Sequence, residues 1–348
     1  MLRRTCIVLM AALVATGMGV AALAADTGAP KAAAKDAKAK APAKPKPPEE
    51  PNDGIMGAYV GAFAPAAGGA AAKAEAKVIG EGGGAFRVVL VAGEGDKALK
   101  AELTGKADGK KVAIDGGGWK GTIDGGQTLV AESKDGKVDL KYTLLKSPTE
   151  GAKPPAGAVI LLPFEPGKAP SLDEWTNATW IANPDGSMMK GTGDNRTKKE
   201  FADLQLHIEF MCPYMPAARG QARGNSGVYL MDRYEVQVLD SYGLPPKDNE
   251  IGGLYKVSTP TSNASFPPLT WETYDITFHA PKLGADGKKS KPAAITVVLN
   301  GVTVQDNVEF PKPTGSSAGK PEVEKGPLRL QDHGNTVRFR NVWVKELK

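Results

Sequence analysis

The sequence predicts an all-β protein in which a small antiparallel β-domain precedes a two-sheet β-sandwich. Short runs of alternating apolar and polar residues recur along the chain, whereas long helical periodicity is lacking. Clusters of Gly, Asn and Asp stand between these runs, as turns stand between strands. The pair Asn300-Gly301, between the runs 295–299 and 302–305, is a strong hairpin signal because both turn residues need positive φ. Many strands and few helices favour a sandwich.

Residues 1–25 are predicted to be a secretory signal peptide. Arg3 and Arg4 precede an apolar run that extends from residue 6 to residue 23, and small residues follow it as a cleavage site. A membrane anchor is the alternative, since the run approaches spanning length, but its Ala and Gly content and its small-residue end favour cleavage. We therefore expect an exported protein, periplasmic or extracellular, with no transmembrane span after cleavage.

Residues 26–51 are rich in Ala, Lys and Pro and are predicted to be a disordered linker. They lack the apolar pattern that would offset the entropy of ordering. The lysines could contact anionic polymers of the cell envelope, although a solvated tether is the simpler interpretation. The formal net charge of +5 lies partly in this tail, so the folded part gives no reason to expect nucleic-acid binding.

Residues 52–151 are predicted to form the accessory β-domain. Strand-like runs punctuated by glycine occur at residues 59–63, 85–91, 98–103, 112–114, 119–123, 128–130 and 140–144. Gly82 to Gly84 lack the Lys-Ser/Thr of a phosphate loop, so they are interpreted as a turn. Anchoring and polysaccharide contact both remain open as roles for this domain. Two adjacent prolines, Pro154 and Pro155, mark its boundary with the second domain, residues 157–348.

Residues 223–243 are predicted to be a hairpin that carries a polar pair. Successive strand residues point to opposite faces, so Val236 and Val238 can lie in the core while Glu235 and Gln237 lie side by side on the other face. A half-solvated antiparallel sheet also places polar residues on its outer face, and this interpretation remains open. After signal cleavage the sole cysteine is Cys212, interpreted as a small buried hydrophobe.

Outward positions of the predicted strands carry acids, amides, imidazoles and guanidinium groups. They are His207, Glu209, Glu235, Gln237, Arg329, Gln331, His333, Arg338 and Arg340. Placed on one concave sheet, such groups could bind a polyhydroxylated ligand through directed hydrogen bonds. Trp271, Tyr255 or Trp180 could add an apolar platform for a sugar face. A carbohydrate-active enzyme, a non-catalytic lectin-like module and an envelope scaffold remain open as functions at this point.

Five segments carry a specific resemblance to a known family. They are GNSGVYL (224–230), YEVQVLDSYG (234–243), WETYD (271–275), LNG (299–301) and LRLQDHGNTVRFRNVWV (328–344). In this order they resemble the 3-keto-disaccharide hydrolase domain family, formerly a domain of unknown function. The resemblance covers about residues 158–347, and the region before it looks like the amino-terminal extension of planctomycete-type members.

The resemblance implies a concanavalin A-like jelly-roll sandwich that acts on glycosides oxidised at carbon 3. An oligosaccharide or 3-keto-glycoside is the implied partner. One departure is visible: the family usually opens with Leu-Phe-Asp-Gly, and this chain has Leu161-Leu162-Pro163-Phe164-Glu165-Pro166 there. The insert at residues 213–222 is longer than in compact members and is expected to shape the rim of the site.

A ketone at carbon 3 acidifies the proton on carbon 2, and its removal gives an enolate that can expel the glycosidic oxygen from carbon 1. Water then adds back. This route needs a base, an acid and a group that stabilises the enolate oxygen. The candidate catalytic residues are Glu235 as base, His333 as acid or partner, and Arg340, with Gln331, at the carbonyl oxygen. The candidate substrate-binding residues are polar or aromatic: Glu209, His207, Asn225, Gln237, Gln331, Arg338, Tyr255 and Trp271.

Two alternatives accompany this assignment. An ordinary glycosidase mechanism would use two carboxylates, for which Glu209 and Glu235 are the candidates, while Asp240 is interpreted as structural or as part of the rim. The sequence has no local metal-ligand spacing such as His-Glu-x-x-His, so no metal or other cofactor is predicted. A calcium ion held by loop carbonyls around residues 248–250 remains open.

Overall fold

An eight-stranded barrel and a two-sheet sandwich follow one another along the chain. The computed structural model describes residues 49–347, all of which belong to one compact unit. The predicted signal peptide and most of the predicted linker lie outside the described residues. Within 49–347, no helix is long and apolar enough to cross a membrane.

The barrel is an antiparallel meander that closes on itself. Its strands are β1 (Gly57–Pro65), β2 (Ala72–Gly82), β3 (Ala85–Ala92), β4 (Leu99–Asp108), β5 (Lys111–Gly116), β6 (Trp119–Asp124), β7 (Thr128–Ser133) and β8 (Gly136–Thr143). Each strand pairs with the next, and β8 pairs with β1. The inward residues, such as Val78, Val88 and Leu103, are fully buried, as expected for a small barrel filled by its own side chains. The predicted runs correspond to every barrel strand except β2.

The sandwich follows. Its strands are β9 (Val159–Leu162), β10 (Ile181–Ala182), β11 (Met188–Met189), β12 (Asn195–Phe201), β13 (Leu204–Met211), β14 (Ser226–Leu230), β15 (Tyr234–Val238), β16 (Glu272–His279), β17 (Lys282–Leu283), β18 (Lys289–Lys291), β19 (Ala293–Leu299), β20 (Val302–Phe310), β21 (Gly326–Leu330) and β22 (Arg338–Glu346). Short 3₁₀ turns occur at Gly95–Lys97, Gly220–Ala222 and Gly315–Ser317. The all-β prediction is confirmed.

Two sheets enclose the larger core. The large sheet has the strand order β10-β11-β22-β13-β16-β19-β20, with β9 also paired to β22. The small sheet has the order β12-β21-β14-β15, and β17 and β18 form a separate pair. The alternating residues Leu206 and Ile208 of β13 meet Val228 and Val236 of the small sheet in one apolar cluster. Cys212 is buried in the same cluster, as predicted.

The hairpin β14–β15 forms as the sequence predicts. Val228 pairs with Val236, and the three residues Met231 to Arg233 connect the paired Leu230 and Tyr234. Met231 and Asp232 both have positive φ, 55° and 54°, and the N–H of Arg233 donates to Leu230 O at 2.9 Å, which closes a tight turn. Every residue of both strands is buried, including Glu235. The outer face of this hairpin is therefore covered by loops, and the interpretation as a half-solvated sheet is wrong.

Candidate functional site

A polar pocket of about 310 Å³ lies on the outer face of the small sheet. Residues of strands β14 and β15 form its floor, and residues of four loops form its walls. Its lining residues are Gln221, Asn225, Tyr229, Glu235, Gln237, Tyr255, Lys256, Gly315, Ser316, Gln331 and His333. Six of the sequence-predicted site residues meet here: Glu235, His333, Asn225, Gln237, Gln331 and Tyr255.

Glu235 lies at the floor of the pocket and is only 4% exposed. Two glycines make room for its carboxylate: a Cβ on Gly227 would lie 2.7 Å from Oε1, and a Cβ on Gly315 would lie 1.8 Å from Oε2. Burial raises the pKa of Glu235 to about 7, although a hydrogen bond with Tyr229 and the charge of Arg329 act in the opposite direction. The side chain is thus a desolvated carboxylate that can exchange a proton near neutral pH.

Tyr229 is the cross-strand neighbour of Glu235 and shares its face of the sheet. The backbone N–H and the hydroxyl of Ser316 donate to Tyr229 Oη at 3.1 and 3.2 Å. Burial, followed by the charge of Glu235, raises the pKa of Tyr229. The phenol therefore keeps its proton, and its hydrogen bond with Glu235 stabilises the ionised carboxylate.

Arg329 lies beneath Tyr229 instead of lining the pocket. Its guanidinium carbon is 3.5 Å from the centre of the Tyr229 ring, and its Nη1 donates to Asp194 Oδ2 at 2.6 Å. The arginine also forms an ion pair with Asp232. Two carboxylates thus neutralise this buried cation, which supports the pocket floor.

Three of the pocket-lining amides, those of Asn225, Gln237 and Gln331, each have a buried oxygen. The NH₂ group of Asn225 donates to Gln221 O (2.9 Å) and Gln221 Oε1 (3.0 Å). The NH₂ group of Gln237 donates to the same Oε1 at 2.9 Å and to Asn249 O at 3.3 Å. Asn225 Oδ1, Gln237 Oε1 and Gln331 Oε1 are buried and have no hydrogen-bond partner among the described residues. These atoms can accept hydrogen bonds from ligand hydroxyls.

The rim of the pocket is cationic and aromatic. His333 is exposed in the loop that follows β21, and Tyr255 is half-buried in the loop that follows β15. Lys256 adopts a positive φ of 59°, and its Nζ lies 5.5 Å from the centre of the Tyr255 ring. The rim can therefore offer a positive charge, an imidazole and a ring face to a bound molecule.

The other predicted site residues lie on the opposite side of the sandwich. Glu209 and His207 belong to β13, and Arg340 and Arg338 belong to β22, all in the large sheet. This corrects the expectation that the outward polar residues share one surface. The alternation in each strand separates core from outer face, but the outer faces of two stacked sheets point in opposite directions.

Glu209 and Arg340 bind the segment that connects the barrel to the sandwich, at Glu150 and Gly151. Arg340 Nε donates to Glu209 Oε2 at 2.6 Å, and its Nη2 donates to Glu150 Oε1 at 2.8 Å. The N–H of Gly151 and the amide of Asn341 donate to Glu209 Oε1. Burial alone would raise the pKa of Glu209, but its hydrogen bonds outweigh this effect and lower the pKa to about 2. Both oxygens are thus occupied by protein groups.

His207 belongs to the same structural network. Its Nδ1 lies 2.7 Å from Asp275 Oδ1, and Thr149 Oγ1 donates to Asp275 Oδ2 at 2.6 Å. Burial alone would lower the pKa of His207, yet the bonds with Asp275 and Glu209 raise it. The imidazole is fully buried and its ring stacks on Trp343, so it packs beneath the segment that connects barrel and sandwich instead of contacting a ligand.

The remaining predicted residues also have structural partners. Trp271 lies against the Arg340 guanidinium at 4.0 Å, and Arg338 donates to Asp185 at 3.1 Å. Trp180 is buried and donates to Gly193 O, so it forms no platform in the pocket. Asp240 accepts from Arg223 Nε at 2.7 Å, which fits a structural role.

The described residues contain no group of three or more His, Cys, Asp and Glu side chains placed to hold a metal. Near the loop considered for calcium, the Glu250 carboxylate accepts from Ser241 Oγ at 2.6 Å. That carboxylate therefore has a protein partner.

Several pocket residues were not predicted from the sequence. Tyr229 could have been found, because the register of the predicted hairpin places it opposite Glu235. Gln221 lies in the insert that was expected to shape the rim. Lys256, Gly315 and Ser316 come from long loops, and no local pattern in the sequence relates these loops to the small sheet.

Comparisons with known proteins agree with the fold. The sequence model of the 3-keto-alpha-glucoside-1,2-lyase-like domain matches residues 163–345. No curated protein matches the chain. A crystal structure of a "putative glycosyl hydrolase" from Parabacteroides distasonis is 36% identical, with a TM-score of 0.50, and covers 56% of this chain and 85% of its own.

Two further crystal structures of the same description and organism are more distant. One is 18% identical with a TM-score of 0.41 and covers 59% of this chain and 99% of its own. The other is 19% identical with a TM-score of 0.38 and covers 55% and 99%.

Proposed function

Because the chain belongs to the 3-keto-α-glucoside-1,2-lyase-like domain family, and is thereby carbohydrate-active, we propose that its pocket cleaves the glycosidic bond of 3-keto-glycosides. One observation carries the proposal. Glu235 is the sole carboxylate among the described residues that line the pocket, and burial raises its pKa to about 7. A base with a pKa near the working pH is well matched to removing a carbon-bound proton that a neighbouring ketone has acidified.

The single carboxylate favours elimination over an ordinary glycosidase mechanism. Retaining and inverting enzymes need two carboxyl groups within about 10 Å of each other across the scissile bond. The second candidate, Glu209, belongs to the large sheet and is paired with Arg340. The pocket therefore supplies one base and no carboxylate partner for it.

The proposed reaction begins when Glu235 takes the proton from carbon 2 of the 3-keto sugar. The electron pair of that C–H bond forms the enolate, and the C1–O bond then breaks with departure of the glycosidic oxygen. The leaving oxygen takes up a proton, a role that we assign to His333 at the rim. The ring product is an enone with a double bond between carbons 1 and 2. Addition of water across this bond gives the free 3-keto sugar.

The negative charge that develops on the oxygen at carbon 3 needs a positive or hydrogen-bonding group. Arg340, the sequence-based candidate, lies on the other sheet. Lys256 is the cation of the pocket rim, and Gln331 contributes an amide NH₂ beside Tyr229. We assign enolate stabilisation to Lys256 with Gln331, since a charge placed where negative charge develops lowers the barrier most.

The test is incubation with 3-keto-trehalose, 3-keto-sucrose and a 3-keto-β-glucoside in D₂O. We expect release of the aglycone, and deuterium at carbon 2 of the 3-keto sugar, because the proton that Glu235 removes exchanges with solvent. A no-enzyme incubation measures spontaneous exchange. Cleavage with hydrogen retained at carbon 2 would exclude elimination. Binding of all three sugars without turnover would favour the lectin-like alternative.

We also propose that the protein is exported through cleavage of the segment 1–25, which carries the signal-peptide pattern. Amino-terminal sequencing of the protein from its native host should find a start near residue 26. An intact Met1 on the mature protein would exclude this proposal.

A further inference from the structure

One loop contacts both the barrel and the pocket. It is the insert at residues 213–222, which leaves β13 and ends at the 3₁₀ turn Gly220–Ala222. At its start, the Tyr214 hydroxyl donates to Asp53 beside the barrel, and a Cβ on Gly80 of β2 would lie only 1.9 Å from that hydroxyl oxygen. Farther along, Arg219 Nη2 donates to the backbone oxygen of Glu81 at 2.8 Å.

A second wall of the pocket also rests on the barrel. Residues 243–256 connect β15 to the rim residues. Gly243 packs against Ile79 of β2, where an added Cβ would lie 2.6 Å from the Ile79 side chain. Arg87 of β3 donates to Gly243 O at 3.4 Å. The two pocket loops therefore share one support, the β2–β3 end of the barrel.

Gln221 joins these two loops at the pocket. Its Nε2 donates to Asn249 O of the second loop at 2.8 Å. Its Oε1 accepts from the NH₂ groups of both Asn225 and Gln237, at 3.0 and 2.9 Å. An amide whose NH₂ is held in this way must turn its oxygen the other way, and within residues 49–347 both oxygens are buried without a hydrogen-bond partner.

We infer that the barrel is a positioning element of the sugar site, acting through Gln221 to fix the amides of Asn225 and Gln237 as acceptors for ligand hydroxyls. The inference rests on the proposed function only in taking this pocket as the sugar site. Gln221 is a positioning residue, since it acts through the two amides. The ligand class is a hydroxyl-rich ring, because amide oxygens in these orientations accept hydrogen bonds and cannot donate them.

A binding measurement tests whether Gln221 positions the amides of Asn225 and Gln237. Isothermal titration of 3-keto-trehalose is measured in Glu235→Gln, which we expect to bind the sugar without turning it over, and in the same variant with Gln221→Leu. Leucine has a similar size but no side-chain acceptor, so each amide loses one of the two hydrogen bonds that hold its NH₂ group and keeps only the bond to a backbone oxygen. We expect the Kd to rise about tenfold or more, the scale of losing well-oriented hydrogen bonds in a buried site. An unchanged Kd, or no binding of the sugar in Glu235→Gln alone, would overturn the inference.

Arg219→Ala tests the role of the barrel and also serves if Gln221→Leu fails to fold. It removes the bond to Glu81 without touching the pocket lining. The control is Lys282→Ala, which removes a similarly exposed ion pair, with Asp203, elsewhere on the sandwich. In the Glu235→Gln background we expect Arg219→Ala to raise the Kd several-fold and the control to leave it unchanged.

Equal Kd values for Arg219→Ala and Lys282→Ala would overturn the role of the barrel. When Arg219→Ala is made in the otherwise wild-type enzyme, a positioning role predicts that KM rises by a larger factor than that by which kcat falls. A fall in kcat alone would contradict it. Because binding is measured without turnover, a failure of the proposed reaction leaves these results interpretable.

Discussion

Replacing Glu235 with glutamine separates the desolvation of this carboxylate from its chemistry. Glutamine keeps the shape of the side chain and can still contact Tyr229, but it cannot ionise. As a base is lost, we expect kcat/KM to fall by about 10² to 10⁴. We also expect the variant to be more stable than wild type at alkaline pH, because burying an ionised carboxylate costs free energy.

The magnitude follows from the pKa. Burial raises it from 4.5 to about 7, and each unit corresponds to about 1.4 kcal/mol, so the full cost is about 3 kcal/mol. Since the folded pKa is the higher one, the unfolded chain loses this proton first as the pH rises. The free energy of unfolding of the wild type therefore falls by this amount between pH 4.5 and 7, whereas the glutamine variant has no such decrease at this position.

The assay is urea unfolding of both proteins at pH 4.5 and pH 8, followed by tryptophan fluorescence, since four of the five tryptophans lie in the sandwich. Other buried carboxyls, such as Glu272 with its pKa raised by burial to about 8, are present in both proteins and cancel in the difference. The difference in unfolding free energy should grow by about 3 kcal/mol between the two pH values. A difference that does not change with pH would show that Glu235 is not desolvated.

Three further substitutions probe the surroundings of this carboxylate. Gly315→Ala places a methyl group 1.8 Å from Glu235 and should lower kcat/KM at least a hundredfold; Gly319→Ala in the same loop shares the positive φ but meets no atom within 4 Å, so comparable losses would contradict the steric reason. Tyr229→Phe removes a bond that lowers the Glu235 pKa, so the acidic limb of the kcat/KM profile should move to higher pH; an unmoved limb would contradict this. Glu209→Gln should lower the free energy of unfolding by about 3 kcal/mol at pH 7, and this loss should disappear as the pH falls from 4.5 through about 2. We expect kcat/KM to stay unchanged, and a reduced turnover would show that Glu209 takes part in the site.

Much of the fold can be predicted from the sequence because alternation is a local property. The strict pattern of β13 and the Asn300-Gly301 turn each determine their own element, and the structure has both. Strand β2 escaped prediction because its run of Ala, Lys and Glu has weak strand propensity. Closure of the barrel could not be predicted either, because the pairing of β1 with β8 joins residues about 80 positions apart that no local pattern connects.

The site could be predicted only in part, for a related reason. The pair Glu235 and Gln237 was visible because both lie in one hairpin whose register the turn fixes. Arg340 was assigned to the same surface because its strand alternates equally well, yet it belongs to the other sheet. Gln221 and Lys256 come from loops, whose paths depend on the barrel and on contacts that are distant in sequence.

The two outer faces of the sandwich show what distinguishes a ligand site from a structural polar cluster. Each outer face buries one glutamate beside an arginine, with a histidine nearby on the large sheet and a tyrosine nearby on the small sheet. On the large sheet, Arg340, Asn341 and Gly151 satisfy Glu209, and its pKa falls to about 2. On the small sheet, burial dominates and the pKa of Glu235 rises to about 7, while neighbouring amide oxygens find no hydrogen-bond partner in the described part of the chain. Buried polar atoms are normally paired, so a cluster that leaves acceptors unpaired around a destabilised carboxylate is one whose remaining hydrogen bonds a ligand can supply.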